Sequence, residues 1–98
     1  MRITPEQRIA IVQSVKEIMG DDARVKLFGS RADDSKRGGD IDLYVRVDGF
    51  DRYLQKKTSM ILYRIFQKLG ELPIDIVLKD DGVAEQLIHM EGEKGILL

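Results

Sequence analysis

The sequence predicts a small α/β (α+β) domain in which about three to four helices flank a three-stranded mixed sheet. Two long segments repeat apolar residues at three-to-four spacing, which is typical of helices, and three short segments show the alternating or clustered apolar pattern of strands. Their order along the chain is helix, strand, loop, strand, helix, strand, helix. With 98 residues, 43% of them hydrophobic, the chain has the size of one domain, and residues 1–98 are expected to form it.

The first helix is predicted over residues 5–19. Thr4 is suited to cap it, Pro5 fits the first helical position, and Gln7 completes a capping box. An apolar stripe at three-to-four spacing follows, and Gly20 is expected to end the helix.

The first strand is predicted over residues 24–28, and the polar segment 31–39, with paired glycines at its end, is expected to be a loop or a short helical turn. Residues 40–47 alternate strictly and are the clearest strand of the chain. One face of that strand is predicted to be apolar, with Ile41, Leu43, Val45 and Val47.

The C-terminal half predicts a long helix over residues 51–69, capped by Asp51, and a third strand over residues 73–78. A turn leads into a short final helix over residues 83–90. The last three residues of the remaining tail are expected to pack back onto the domain.

Composition excludes several classes of function. Lys and Arg total 16 and Asp and Glu total 17, so the net charge of −1 argues against direct nucleic-acid binding and against a polybasic membrane-surface protein. The absence of cysteine excludes disulfides, thiol nucleophiles and cysteine-ligated metals, and it fits a reducing cytoplasm. We expect a cytoplasmic protein, because no segment has the pattern of a secretory signal or reaches the ~20 apolar residues of a membrane span.

Three carboxylates lie in predicted strands, where carboxylates are unfavourable. Asp40 and Asp42 point to the same face of one strand, with Cα atoms roughly 6.5–7 Å apart. Bound divalent cations would offset their repulsion and desolvation, and oxygen ligands suit Mg²⁺ or Mn²⁺ better than zinc. Asp75 would join them if the third strand lies beside the second. The alternative is an ordinary acidic pair on a solvent-facing strand.

The pair Gly29 and Ser30 follows an apolar strand and begins a loop. A glycine at such a point lets backbone N–H groups approach phosphate oxygens, and the serine hydroxyl adds a donor. Ser30 is not expected to be a nucleophile, because no histidine base is near in sequence and the Gly-x-Ser-x-Gly pattern is absent. An ordinary structural turn is the alternative.

Three segments together resemble the nucleotidyltransferase superfamily of the DNA polymerase β type: Leu27–Ala32, Gly39–Leu43 and Ile74–Val77. The short length and the C-terminal segment are similar to those of the minimal nucleotidyltransferases, including antitoxins of that kind. The resemblance implies that Asp40 and Asp42 ligate two Mg²⁺ ions. It also implies that Asp75 completes the metal site and acts as the general base, or orients it.

The same resemblance implies that Gly29 and Ser30 bind the triphosphate of ATP, with Arg31 as a candidate phosphate contact. Lys36 and Arg37 are interpreted as solvated loop residues.

Some positions depart from the family pattern. The nine residues between Ser30 and Asp40 are at the short end of the family range, and Gly39 stands where many relatives have serine. Asp33 and Asp34 place negative charge near the path of the triphosphate, which would weaken ATP binding.

The resemblance implies a Mg²⁺-dependent enzyme that transfers AMP from ATP to a hydroxyl group. The implied acceptor is a tyrosine of a partner HEPN-domain toxin, with this chain as the antitoxin of a type VII-like toxin–antitoxin pair. The chain looks too short for a complete acceptor pocket, so a hetero-oligomer or a homodimer is expected to complete it. Two alternatives stay open: a non-catalytic antitoxin that masks its partner, and a small-molecule (antibiotic) nucleotidyltransferase.

The remaining aromatic and basic residues receive structural interpretations. His89 is expected at the surface rather than as a ligand. The three tyrosines are expected in the core rather than stacked on a nucleotide base: Tyr44, Tyr53 and Tyr63. Three basic residues are expected on the solvated face of the long helix: Arg52, Lys56 and Lys57.

Overall fold

A computed structural model describes residues 1–98. The helices are α1 (Pro5–Met19), α2 (Leu54–Leu69) and α3 (Leu87–Glu93), and the strands are β1 (Arg24–Phe28), β2 (Ile41–Arg46), β3 (Ile74–Lys79) and β4 (Ile96–Leu97). A short 3-10 turn, Gly29–Ala32, follows β1. This is the predicted class, a small α+β domain with a mixed sheet and three helices.

The sheet has four strands in the order β3-β2-β1-β4. β1 is antiparallel to both β2 and β4, whereas β2 and β3 are parallel and are connected through α2. A parallel pair requires such a crossover, because the chain must return to the same end of the sheet.

One face of the sheet packs against α1 and α2. Four side chains from the two helices are fully buried there, namely Ile11, Val15, Ile61 and Ile65. The predicted apolar face of β2 is confirmed, because all four of its residues belong to the same core. The predicted α1 is also confirmed at both ends, with the capping box between Thr4 and Gln7 in place.

The other face of the sheet is partly covered by α3. A Cβ at Gly92 would overlap the ring of Tyr44, so α3 lies flat on that ring. His89 is only 4% exposed, its ring centroid lies 6.3 Å from that of Tyr44, and its Nδ1 accepts a hydrogen bond from the Gln86 N–H. The predicted surface position of His89 is therefore wrong, because the second sheet face needs a cover that local sequence does not reveal.

Two helices have boundaries that differ from the prediction. α2 begins at Leu54 rather than at residue 51, because Asp51 accepts from the Tyr53 N–H one step before the helix and does not cap it. α3 covers Leu87–Glu93 rather than residues 83–90. The Val83 N–H bonds to the Asp80 carboxylate, which keeps that residue in the preceding turn.

The sheet has four strands rather than three because the C-terminal tail forms β4. The expectation that the tail packs back is confirmed: Ile96 and Leu97 pair with Leu27 and Lys26 of β1. A two-residue strand is too short to show an alternating pattern.

The tyrosines and cations of the sequence analysis divide between buried and exposed positions. Tyr44 is in the core as predicted, but Tyr53 and Tyr63 are exposed, so the core prediction is wrong for those two. Arg52 and Lys56 are exposed as expected, whereas Lys57 is half-buried and pairs with Asp51.

No helix of the structure combines the length and apolarity that crossing a membrane requires.

Candidate functional site

The parallel pairing of β2 and β3 brings two of the predicted site residues side by side. Asp42 and Asp75 are register partners, so their side chains leave the same face of the sheet. Asp40 lies two residues before Asp42, immediately ahead of β2. The condition set by the sequence, that the third strand lies beside the second, is met.

The three carboxylates form an acidic cluster that affects the ionisation of its central member. Asp42 is half-buried, whereas Asp40 and Asp75 are exposed. Burial raises the pKa of the Asp42 carboxyl above its usual range, and the charges of Asp75 and then Asp40 raise it further.

Gly29 places the turn after β1 directly against this cluster. Its φ of +73° lies in the left-handed region, and a Cβ there would overlap Asp42 Oδ2. Both observations require glycine, because any side chain would be strained and would displace the carboxylate.

Ser30 and the paired glycines close the base of the loop. The Ser30 hydroxyl lies 3.5 Å from the Gly38 carbonyl oxygen, a long and weak hydrogen bond that leaves the hydroxyl free to change partner. A Cβ at Gly39 would overlap Ser30 Oγ. The Gly39 φ of +84° lies in the left-handed region, so both the backbone and the contact with Ser30 favour glycine at this position.

Arg31 bonds to the backbone of its own loop and of the N-terminal segment. Its Nε donates to the Gly39 carbonyl at 3.1 Å and its Nη1 to the Arg2 carbonyl at 3.2 Å. A contact between Arg31 and phosphate stays a prediction. Arg2 was missed by sequence reasoning, because nothing local indicates that a basic residue before α1 reaches a loop that begins at Gly29.

The other charged loop residues are solvated or paired locally. Lys36 and Arg37 are exposed, as expected. Asp33 accepts from the backbone N–H and the hydroxyl of Ser35, and these bonds lower the pKa of its carboxyl. Asp34 is exposed and contacts the Met1 amine.

The donor chemistry of the cluster fits a hard divalent cation. All three side chains offer carboxylate oxygens, and the charges of Asp75 and Asp40 add to burial in raising the pKa of the Asp42 carboxyl, an effect that a bound divalent cation would oppose. No three acidic or histidine side chains converge closely enough in the structure to define a metal site by themselves.

The cluster is open to the surface. The structure has four surface depressions, and none is lined by any of the predicted site residues Gly29, Ser30, Arg31, Asp40, Asp42 and Asp75. The groove at the start of α2 lies at the opposite end of the sheet, because Asp80, which lines it, directly follows β3, whereas Asp75 is the second residue of that strand.

Comparison with known proteins gives one match. A family model described as a nucleotidyltransferase domain matches residues 9–95, which contain all six predicted site residues. No curated protein and no solved structure matches the chain.

Proposed function

Because the chain belongs to the nucleotidyltransferase domain family, we propose that it is a Mg²⁺-dependent enzyme that transfers AMP from ATP to a hydroxyl group. Family membership supports the transfer of a nucleotide; the choice of AMP and of the acceptor is part of the proposal. The observation that supports it is that Asp42 lies beside Asp75 on the neighbouring strand and is itself in contact with the Gly29 turn.

The proposed roles follow from where each side chain lies. Asp40, Asp42 and Asp75 would hold the metal, which when bound supplies positive charge against the phosphates and the leaving pyrophosphate. The N–H groups of the Gly29 turn and the Ser30 hydroxyl bind the triphosphate from the other side.

In the proposed reaction, the acceptor oxygen attacks the α-phosphorus of ATP. The bond from that phosphorus to the bridging oxygen breaks, and pyrophosphate leaves with the electron pair. Asp75 takes the acceptor proton, because its carboxylate is the exposed one beside Asp42 on the neighbouring strand.

We propose that the acceptor is a tyrosine of a HEPN-type toxin and that this chain is its antitoxin. An open site gives a small acceptor few contacts, whereas a protein acceptor brings its own surface. Further support comes from α3, which lies on the same sheet face as Asp42 and exposes three apolar side chains, Leu87, Ile88 and Met90.

The test uses the purified chain, a HEPN-type partner, Mg²⁺ and ATP labelled on either the α- or the γ-phosphate. We expect label on the partner from α-labelled ATP only, and none with Asp42→Asn. Asp48→Asn is the matched control, because Asp48 is an exposed aspartate beyond the other end of β2.

Other outcomes identify the alternatives. If the chain neutralises the partner without labelling it, and Asp42→Asn neutralises it equally well, the chain is a non-catalytic module that masks its partner. Transfer to a small hydroxyl compound without a protein partner would indicate a small-molecule nucleotidyltransferase.

A further inference from the structure

The loop between β1 and β2, residues 29–40, is fastened near both ends by one side chain from outside it. Arg2 Nη2 donates to the Ser30 carbonyl oxygen at 3.2 Å and to the Gly38 carbonyl oxygen at 2.7 Å. Ser30 lies near the start of the loop and Gly38 near its end. One guanidinium group therefore joins the two ends of an exposed segment.

Arg31 completes this attachment from the loop side. The Arg2 N–H donates to the Arg31 carbonyl at 2.8 Å, and Arg31 Nη1 donates back to the Arg2 carbonyl at 3.2 Å. We call the two side chains together the Arg2–Arg31 brace. All of its acceptors are backbone carbonyls, so it constrains the path of the chain rather than the side chains of the loop.

Arg2 is half-buried, and one nitrogen of its guanidinium group is out of contact with solvent. Its Nε is buried and has no hydrogen-bond partner. A solvated arginine would keep water on that nitrogen, so the bonds from Nη2 are maintained despite a desolvation cost.

We infer that Arg2 is a positioning residue for nucleotide binding. By fixing the carbonyls of Ser30 and Gly38, it holds the Gly29 turn in the shape that presents its N–H groups and the Ser30 hydroxyl to a triphosphate. Arg2 acts through the loop and does not touch the nucleotide. This inference rests on the proposed function, because it needs the turn to bind phosphate.

The test compares Arg2→Met, which keeps an aliphatic stem but removes the donors, with Arg8→Met. Arg8 donates from Nε and Nη2 to the Leu98 carbonyl, so the control loses the same charge and two hydrogen bonds far from the loop. For Arg2→Met we expect the Kd and KM for Mg²⁺–ATP to rise about tenfold with kcat little changed. We also expect faster amide exchange over residues 30–39, and neither effect in Arg8→Met.

Unchanged Kd and unchanged exchange in folded Arg2→Met would overturn the inference. So would a fall in kcat at constant KM, because a purely structural role reduces the folded fraction alone. If Arg2→Met does not fold, Arg2→Lys, which keeps the charge but not the second donor of the fork, must show a Kd for Mg²⁺–ATP above that of the wild type and faster exchange over residues 30–39; wild-type values of both would overturn the inference. If the wild-type chain binds no ATP, the proposed function fails and the nucleotide role of Arg2 fails with it, although faster exchange in Arg2→Met would still establish the brace.

Discussion

At Asp42, burial and two neighbouring carboxylates oppose ionisation. A carboxyl whose pKa is raised by folding begins to destabilise the folded state as the pH rises past its ordinary pKa, 3.8 for Asp42, and the penalty is complete above the raised pKa. The placement that suits a cation therefore weakens the fold when no cation is bound.

Asp42→Asn is expected to raise the thermal midpoint at pH 7 and to lower transfer about a thousandfold, because several kcal/mol of charge stabilisation would be lost. The gain in stability should shrink as the pH falls below the raised pKa of Asp42 and vanish below the ordinary value of 3.8. Thermal melts across pH, beside the activity assay, measure both effects. A lower midpoint at pH 7 would contradict the electrostatic argument.

Gly29→Ala should lower the free energy of unfolding by about 1–2 kcal/mol, because alanine is strained in the left-handed backbone conformation. It should also lower the rate of nucleotide transfer about a hundredfold, because the added methyl group displaces the Asp42 carboxylate. Gly49→Ala is the control, because Gly49 has a φ of +81° but open space around it. It should show a similar loss of stability in denaturant unfolding and full specific activity. Equal activity in both variants would mean that the Gly29 contact has no role.

At the scale of elements, α3 packs on the second face of the sheet with Gly92 directly against the Tyr44 side chain. Gly92→Ala should lower the free energy of unfolding by about 1–3 kcal/mol, because the added methyl overlaps Tyr44. Met90→Ala, at an exposed position of the same helix, should change it by less than about 0.5 kcal/mol. Urea titration distinguishes them, and equal small effects would show that α3 lifts from the sheet without cost.

Two aspartates, Asp80 and Asp81, join the segment that precedes α2 to the turn that follows β3, and we call this region the carboxylate junction. The Asp80 carboxylate accepts from the N–H groups of Asp51, Gly82 and Val83, and the bond from Asp51 is the largest cause that lowers the Asp80 pKa. The side chain of Arg46 lowers the Asp81 pKa from the neighbouring strand.

This junction should weaken in acid. A carboxyl with a lowered folded-state pKa contributes stability above its ordinary pKa, 3.8 here, which is lost as the pH falls through the folded value. Amide exchange at Asp51, Gly82 and Val83 should therefore accelerate below that ordinary pKa. Asp80→Asn should reduce this pH dependence to the part that Asp81 contributes, and a wild-type junction that stays protected in acid would contradict the assignment.

For the whole molecule, the candidate site occupies one end of the sheet and the carboxylate junction the other. Binding at the first end should therefore stabilise the fold by linkage without altering the second. At a hundredfold excess over Kd, Mg²⁺–ATP should add about 2.7 kcal/mol and raise Tm by about 10–20 °C. A chelator should reverse the shift, and Asp42→Asn should show none; a shift that survives chelation would contradict metal-dependent binding.

Local sequence patterns alone identified α1, β1, the buried face of β2 and the residues of the acidic cluster. Capping, glycine stops and strict alternation act within a few residues, so they can be recognised without knowing the fold. The family was expected from the resemblance that the segments around Gly29, Ser30, Asp40, Asp42 and Asp75 carry, and the match over residues 9–95 confirms it.

Contacts between distant segments required the tertiary structure. The pairing of Asp42 with Asp75 depends on the parallel register of β2 and β3, and the burial of His89 depends on how α3 packs on the sheet. β4 forms because one edge of β1 has no other strand beside it. The reach of Arg2 to Gly38 joins residues 36 positions apart. Such contacts depend on which surfaces the chain has left to cover, and no short segment of sequence contains that information.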